Sequence, residues 1–152
     1  MMAAKESTIH ASAVLVGAKA ALIRGPAGSG KSRLVWELLI ATSRGGLPFS
    51  RLVADDRAYV ESHSGRLLVR PAPALAGMIE VHGLGIRRIE FEAVAAVGLI
   101  VDLAAEDAGR YPEPKATSTS IAGVALPRLA VAAGMSPLPL VLARLQSSPT
   151  GD

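Results

Sequence analysis

A glycine-rich segment that ends in a lysine and a serine is the part of this sequence best suited to chemistry. Residues 25–32 read Gly-Pro-Ala-Gly-Ser-Gly-Lys-Ser and match G-x-x-x-x-G-K-[ST], the phosphate-binding loop, at every fixed position. Backbone N–H groups in such a loop, together with the start of the next helix, solvate the charges of a polyphosphate. Lys31 is placed to reach the β- and γ-phosphates, and Ser32 to bind Mg²⁺. The predicted binding residues are Gly25, Pro26, Ala27, Gly28, Ser29, Gly30, Lys31 and Ser32.

The segments on either side of the loop have the order that this motif requires. Residues 20–24 are short and apolar, as in a strand, and residues 7–16 predict an earlier strand that forms a hairpin with them. After the loop, apolar residues recur at helical spacing up to about Ser43, and Gly45-Gly46 ends the predicted helix. A glycine-rich turn without a ligand is the alternative, but a strand, a loop and a helix in this order favour phosphate binding.

Two acids follow the next predicted strand, since residues 52–56 read Leu-Val-Ala-Asp-Asp. In a strand–helix–strand unit the two strands are parallel and end at the same edge of the sheet. We therefore expect these acids beside the end of the strand at 20–24, at the edge where open α/β sheets bind ligands. At least one of Asp55 and Asp56 should lie near the γ-phosphate or its metal ion. The alternative is that both are simple turn acids.

Later segments complete the predicted fold, which is an α/β domain with a mixed, largely β sheet and few helices. We expect one domain over residues 1–152, with its core at about 7–146 and frayed termini. The predicted elements are a hairpin over 57–60 and 66–70, a buried strand over 97–103, an irregular loop over 104–119, a strand over 124–131 and a short helix over 137–145.

Composition argues against several other classes of protein. The net charge is +3, but the cations are scattered and not interleaved with aromatic residues, so we expect no nucleic-acid surface. No stretch approaches about 18 unbroken apolar residues, so we expect no membrane span. Cysteine is absent, which excludes disulfides and thiolate metal sites and is consistent with a reducing compartment such as the cytoplasm.

Three further stretches give the loop a specific context. Residues 10–14 read His-Ala-Ser-Ala-Val, residues 54–57 read Ala-Asp-Asp-Arg, and residues 79–86 read Ile-Glu-Val-His-Gly-Leu-Gly-Ile. In this order the sequence resembles the catalytic domain of HPr kinase/phosphorylase, from about residue 7 to residue 131. The stretch E-[IV]-x-G-L-G-I is the specific part. This resemblance implies a P-loop kinase domain, in a short form that lacks the N-terminal domain of longer members.

The resemblance also implies an activity and roles for single residues. The family uses ATP and Mg²⁺ to phosphorylate a serine of HPr, the phosphocarrier of the sugar phosphotransferase system, and many members reverse the reaction with inorganic phosphate. Asp56 matches the family's proton acceptor, Glu80 matches a second Mg²⁺ ligand beside Ser32, and His10 matches an active-site histidine. Arg110 aligns with an active-site arginine. The resemblance further suggests a homo-oligomer, a hexamer, in the cytoplasm. Asp55 is a further candidate for the metal.

Each of these residues has a structural alternative. His10 could pack as a strand histidine, Glu80 could lie on the solvent face of a strand, and Arg110 could be a solvated loop cation. His82 stands where the family has arginine, and residues 131–139 lack the basic segment associated with dephosphorylation. These departures leave open a second hypothesis, a nucleotide-binding regulator that transfers no phosphate. A small-molecule kinase is a third, although such enzymes usually carry several lid arginines.

Overall fold

The structure is a computed structural model that describes residues 7–150. Strands predominate and are numbered here along the chain. The strands are β1 (Ser7–Ile9), β2 (Ala11–Val16), β3 (Lys19–Arg24), β4 (Ser50–Ala54), β5 (Ala58–His63), β6 (Arg66–Pro71), β7 (Met78–Val81), β8 (Gly85–Arg88), β9 (Ala95–Asp102), β10 (Ser118–Ile121) and β11 (Val124–Ala130). The helices are α1 (Lys31–Ser43) and α2 (Pro137–Gln146), with 3-10 turns at Pro73–Leu75 and Pro114–Ala116.

Within residues 7–150, nine of these strands form one sheet, and β7 and β8 form a separate hairpin. The order across the main sheet is β1-β5-β6-β9-β3-β2-β4, and β11 joins β9 and β10. β3, β9 and β11 run parallel, whereas β2 runs antiparallel to both of its neighbours, β3 and β4. The carboxyl ends of β3, β4, β9 and β11 therefore meet at one edge. The predicted mixed sheet with few helices is confirmed.

The pairing corrects one expectation about the two acids. β4 ends at the same edge as β3, as expected, but it is not its neighbour, because β2 lies between them. The predicted strand over 7–16 is also divided, since the chain bends at His10 and leaves β1 to pair with β5. As a result, the start of β2 lies at the edge where β3 and β4 end, with Ala11 opposite Arg24 and Ala13 opposite Ala54.

The two faces of the main sheet bury separate apolar clusters. Leu34, Val35 and Leu38 of α1 are fully buried against one face, where Val141 of α2 joins them. Burial of each leucine stabilises the fold by about 1.5–3 kcal/mol. The opposite face packs small side chains of β2 and β3 against β5, β6 and β9. Burial on both faces fixes the strand edge that carries the phosphate-binding loop.

Two further expectations concern the second half of the chain and the termini. The predicted terminal helix is confirmed as α2, but the irregular loop over 104–119 is wrong at its end, where β10 begins. β10 reads Ser-Thr-Ser-Ile, so it lacks the apolar alternation that predicts a strand. The ends outside about 7–146 are expected to fray: residues 147–150 follow α2 without a further helix or strand, and residues 1–6 and 151–152 lie outside the described residues. In residues 7–150, no helix has both the length and the apolar character needed to cross a bilayer.

Candidate functional site

The phosphate-binding loop joins β3 to α1 and is closed by its own backbone. Ser29 N donates to Pro26 O at 3.0 Å, and Leu34 N donates to Gly30 O at 2.9 Å, which starts the helix. Gly30 has φ 101°, in the left-handed region that favours glycine. A Cβ at Gly25 would lie 2.5 Å from Ser29 Oγ and 3.1 Å from Leu103 Cβ, so a larger residue here would require these side chains to shift. At Gly30 the loop therefore adopts a left-handed backbone conformation that favours the glycine of the motif.

Lys31 is turned back onto this loop. Its side chain is largely buried, with the residue 7% exposed, and Nζ donates to the carbonyl oxygens of Gly25 at 2.8 Å and Pro26 at 3.3 Å. Both of these acceptors are backbone carbonyl oxygens, so neither neutralises the charge of the ammonium. Its three donors can be shared with phosphate oxygens, because an ammonium binds as a compact point charge.

Asp55 is the centre of a buried hydrogen-bond network at the end of β4. The residue is 7% exposed, and its Oδ1 accepts from Ser32 Oγ at 2.6 Å and from Ser12 Oγ at 2.9 Å. Its Oδ2 accepts from the backbone N–H of Glu80 at 3.0 Å. The three donors are neutral, so they orient the carboxylate and leave its charge available to a cation. Ser32 and Asp55 together present the oxygen ligands that Mg²⁺ prefers.

Asp56 meets this network through its backbone N–H. Its backbone has φ 66°, and its N–H donates to Ser12 Oγ at 3.0 Å, while the residue as a whole is exposed. The left-handed turn therefore places one of two consecutive acids inside the site and the other at its surface. Ser12 is fully buried and connects both acids. Ser12 was not predicted as a site residue, although it lies in the stretch His-Ala-Ser-Ala-Val that is part of the family resemblance.

The side chains of the other predicted site residues, Glu80, His10 and Arg110, do not take part in the hydrogen-bond network around Asp55 in residues 7–150. Glu80 contributes its backbone N–H to Asp55, but its side chain is exposed on β7. His10 is exposed at the bend between β1 and β2. Arg110 is exposed on the segment after β9, with its guanidinium 5.4 Å from the centre of the Tyr111 ring. Hydrogen bonds thus join Ser32 and the backbone of Glu80 to Asp55, and Ser12 links Asp55 to the backbone of Asp56, while the ammonium of Lys31 lies on the loop. Among the contacts of residues 7–150, none joins His10 or Arg110 to them.

Acidic and histidine side chains do not form a preassembled metal site here. The described residues hold no group of three His, Cys, Asp or Glu side chains that could bind a metal ion. Mg²⁺ usually takes only one or two protein ligands and completes its shell with water and phosphate oxygens. Ser32 Oγ and Asp55 Oδ1 fit that requirement. The predicted third ligand, Glu80, would have to reach the ion with an exposed side chain.

An ion-pair cluster that was not predicted from the sequence lies at the carboxyl ends of β3 and β9, next to the phosphate-binding loop. Arg24 binds Asp102 through two hydrogen bonds of 2.7 and 2.8 Å, and Arg128 Nε donates to the same carboxylate at 2.6 Å. Arg128 also donates two hydrogen bonds to the carboxylate of Asp107, at 2.8 and 3.1 Å. These pairs fasten the carboxyl ends of β3, β9 and β11 and the segment after β9. These ion pairs therefore fix the strand ends that lie next to the phosphate-binding loop.

The same cluster shifts the titration of its carboxyl groups. Burial alone would raise the pKa of Asp102, but hydrogen bonds from Arg24 and Arg128 and their positive charges outweigh burial and leave it below its usual value. The Arg128 hydrogen bond also lowers the pKa of Asp107. The hydrogen bond to Asp107 raises the pKa of Arg128, against its partial burial. All three groups therefore stay charged at neutral pH.

Comparison with known proteins gives this geometry a family context. The chain is 39% identical over 83 residues to HPr kinase/phosphorylase of Clostridium beijerinckii and 34% identical over 100 residues to HPr kinase/phosphorylase of Clostridium tetani. These matches cover 55% and 66% of this chain. Over these residues the chain is similar in sequence to the HPr kinase/phosphorylases. It spans only 25% and 30% of the length of those two relatives. No protein-family model matches the chain.

A solved structure supports the fold. The structure of the Hpr(Ser) kinase/phosphatase from Coxiella burnetii superposes with a TM-score of 0.70, over 92% of this chain and 88% of that chain, at 23% identity. The chain therefore has the fold of that protein, and the predicted fold class is confirmed. The resemblance to the HPr kinase/phosphorylases that the sequence motifs indicated is confirmed by the two clostridial relatives.

Proposed function

We propose that this chain is an ATP- and Mg²⁺-dependent kinase that phosphorylates a serine of an HPr-type phosphocarrier protein. The observation that carries the proposal is the 2.6 Å hydrogen bond between Ser32 of the phosphate-binding loop and Asp55 at the end of β4. It joins the loop to a buried carboxylate and leaves an exposed carboxylate, Asp56, one residue away. The curated relatives named HPr kinase/phosphorylase support HPr as the acceptor.

The loop and its lysine would hold the donor. Backbone N–H groups of residues 25–30 would solvate the phosphates, and Lys31 would neutralise charge on the β- and γ-phosphate oxygens. Ser32 and Asp55 would hold Mg²⁺, which when bound supplies further charge neutralisation on those oxygens. Phosphoryl transfer depends mainly on such positioning and neutralisation, so the preformed arrangement of Lys31, Ser32 and Asp55 suits it.

The two acids would then have different tasks. Both oxygens of Asp55 already accept hydrogen bonds, whereas the Asp56 carboxylate is exposed and can meet an incoming hydroxyl. As the acceptor serine Oγ bonds to the γ-phosphorus, Asp56 would take the hydroxyl proton. The bond from the γ-phosphorus to the bridging oxygen breaks, and ADP leaves with that oxygen. The products are phosphoserine, ADP and a protonated Asp56 that returns its proton to solvent.

Several wider predictions belong to the same proposal. We expect the chain to work as one catalytic domain in the cytoplasm, as a homo-oligomer, and light scattering of the purified protein would give its mass. Reverse phosphorolysis with inorganic phosphate stays a prediction from the family resemblance. His10 and Arg110 would join the site only through movement or a bound acceptor, since their side chains are exposed and make no contact with Asp55 in residues 7–150.

The kinase proposal is tested with ATP, Mg²⁺ and purified HPr. We expect ADP and phosphoserine to form in equal amounts, measured by chromatography of the nucleotides and mass spectrometry of HPr. Asp56→Asn should bind ATP normally but lose transfer by about 10²-fold or more, because the proton acceptor is gone. Glu113→Gln removes another exposed carboxylate and should leave transfer unchanged. Folded protein that yields no phosphoserine would overturn the proposal.

A further inference from the structure

A cavity adjoins the phosphate-binding loop on the side away from Asp55. Its volume is about 330 Å³, near the lower end for pockets that enclose small organic ligands. The loop contributes residues 26–29, and the segment after β9 contributes Leu103 and Ala104. The remaining wall is residues 131–135 and Pro137, between β11 and α2. A larger open depression of about 940 Å³ lies beside β7 and β8 and shares no lining residue with the loop.

The order of the strands gives a bound nucleotide its direction. β2, which carries Ser12, and β4, which ends just before Asp55, lie on one side of β3, and β9 and β11 lie on the other. The cavity is at the carboxyl ends of β9 and β11, and the phosphate-binding loop lies between it and Asp55. A polyphosphate that runs along the loop with its γ end at Ser32 and Asp55 therefore has its other end at the cavity.

We propose that this cavity holds the base and ribose of ATP, and that it does so with little selectivity between purine bases. The inference rests on the proposed function, because it assigns the nucleoside end of the same donor. Continuity with the loop is the first support, since residues 26–29 belong to both. The second is the order of the strands, which puts the far end of a polyphosphate at the cavity when its γ end lies at Ser32 and Asp55.

The lining suits contact with the flat face of a base. Leu103 and Val131 form a buried apolar floor, at 4% and 1% exposure, whereas Met135 is 56% exposed at the rim. The thioether of Met135 can make favourable contacts with an aromatic ring. A nucleobase would cover the thioether and the apolar floor together.

The same lining explains why selectivity should be low. The residues around the cavity are of seven types, namely Pro, Ala, Gly, Ser, Leu, Val and Met, none of which carries an amide, acid or basic side chain. Adenine and guanine differ in the donors and acceptors at their edges. With only backbone groups and one serine hydroxyl to meet those edges, we expect weaker discrimination than in a site built around specific side-chain partners, which rejects the wrong base strongly.

Calorimetric titration of the full chain with Mg²⁺ and three ligands tests this assignment. The ligands are ATP, GTP and inorganic tripolyphosphate, which has the phosphates without a nucleoside. We expect ATP and GTP to bind within about fivefold of each other, and both about tenfold or more tighter than tripolyphosphate, a difference in binding free energy of about 1.4 kcal/mol. Ala132→Phe, which fills the cavity, should reduce ATP affinity to that of tripolyphosphate.

Met135→Ala supplies a milder variant that should fold normally, because the side chain is exposed. It should weaken ATP and GTP by about 2- to 12-fold, the range of a sulfur–aromatic contact, and leave tripolyphosphate unchanged. Val94→Ala truncates another exposed apolar side chain, outside the cavity, and should change none of the three affinities.

The outcomes separate this inference from the proposed function. Tripolyphosphate binding that matches ATP binding, in wild-type protein and in Met135→Ala, overturns the nucleoside cavity and leaves the phosphate site intact. A preference for ATP over GTP of about 100-fold or more overturns recognition by contact alone. Absence of binding by every ligand to folded protein overturns both the cavity and the kinase proposal.

Discussion

Ser12 connects the two acids of the site, and its hydroxyl is the most informative group to remove. The residue is fully buried at the start of β2, where its Oγ donates to Asp55 and accepts from the backbone N–H of Asp56. Ser12→Ala keeps the apolar packing of the strand and deletes only these two hydrogen bonds. The variant therefore reports what the connection contributes to folding and to catalysis.

The two contacts give an expected magnitude for this change. A hydrogen bond to a charged acceptor contributes about 1.5–3 kcal/mol, and a neutral one about 0.5–1.5 kcal/mol. Asp55 keeps the donors Ser32 and Glu80, so we expect the loss of stability to be smaller than the upper limits of these two ranges added together. We expect Ser12→Ala to lower the free energy of unfolding by about 2–4 kcal/mol. For a chain of this size the melting temperature should fall by roughly 5–15 °C.

The assays are urea denaturation followed by circular dichroism and phosphoserine formation on HPr. Transfer should fall about 10- to 100-fold in Ser12→Ala, because small displacements of catalytic groups are costly. Ser62→Ala, an exposed serine of β5, is the matched control and should stay within about 0.5 kcal/mol of the wild type. If Ser12→Ala keeps wild-type stability and wild-type transfer, this hydroxyl does not position the acids.

Three further variants test the loop and the ion-pair cluster. Lys31→Met should weaken ATP binding about 10- to 100-fold, measured by calorimetry, because it removes charged donors to the phosphates. Gly25→Ala should unfold at lower urea, by about 1–3 kcal/mol, since its Cβ would lie 2.5 Å from Ser29 Oγ; an unchanged midpoint would contradict the tight closure of the loop. The lowered pKa of Asp102 stabilises the fold above its unfolded pKa of about 4, and this stabilisation is lost as the pH falls through the folded pKa. Arg128→Met should therefore lower stability by a constant amount above about pH 5, with the gap to the wild type shrinking towards pH 3; a gap that does not change with pH would contradict this.

Local patterns were enough to predict the loop, its helix and the pair of acids. The glycines, Lys31 and Ser32 stand at fixed spacing, and the apolar period of α1 is regular, so neighbouring residues determine this part. The acids at 55 and 56 follow a short apolar strand, which placed them at the correct edge. These features depend on interactions between residues that are close in the sequence.

Features that depend on pairing between distant segments could not be predicted in the same way. A single sequence indicates strands but not their neighbours, so the position of β2 between β3 and β4 stayed hidden, and with it the role of Ser12. The cluster of Arg24, Asp102 and Arg128 joins residues 26 and 78 positions apart. β10 is polar and owes its strand conformation to pairing with β11.

We propose that Asp55 binds the metal ion and that Asp56 takes the proton of the acceptor hydroxyl. Single-turnover phosphoserine formation on HPr, measured against Mg²⁺ concentration, tests it in two variants. In Asp55→Asn the Mg²⁺ concentration for half-maximal rate should rise about tenfold or more, and the rate should partly recover at high Mg²⁺. In Asp56→Asn the Mg²⁺ requirement should match the wild type, while the rate at saturating Mg²⁺ should fall about 10²- to 10⁴-fold. Identical Mg²⁺ dependence and identical rates in the two variants would contradict the account.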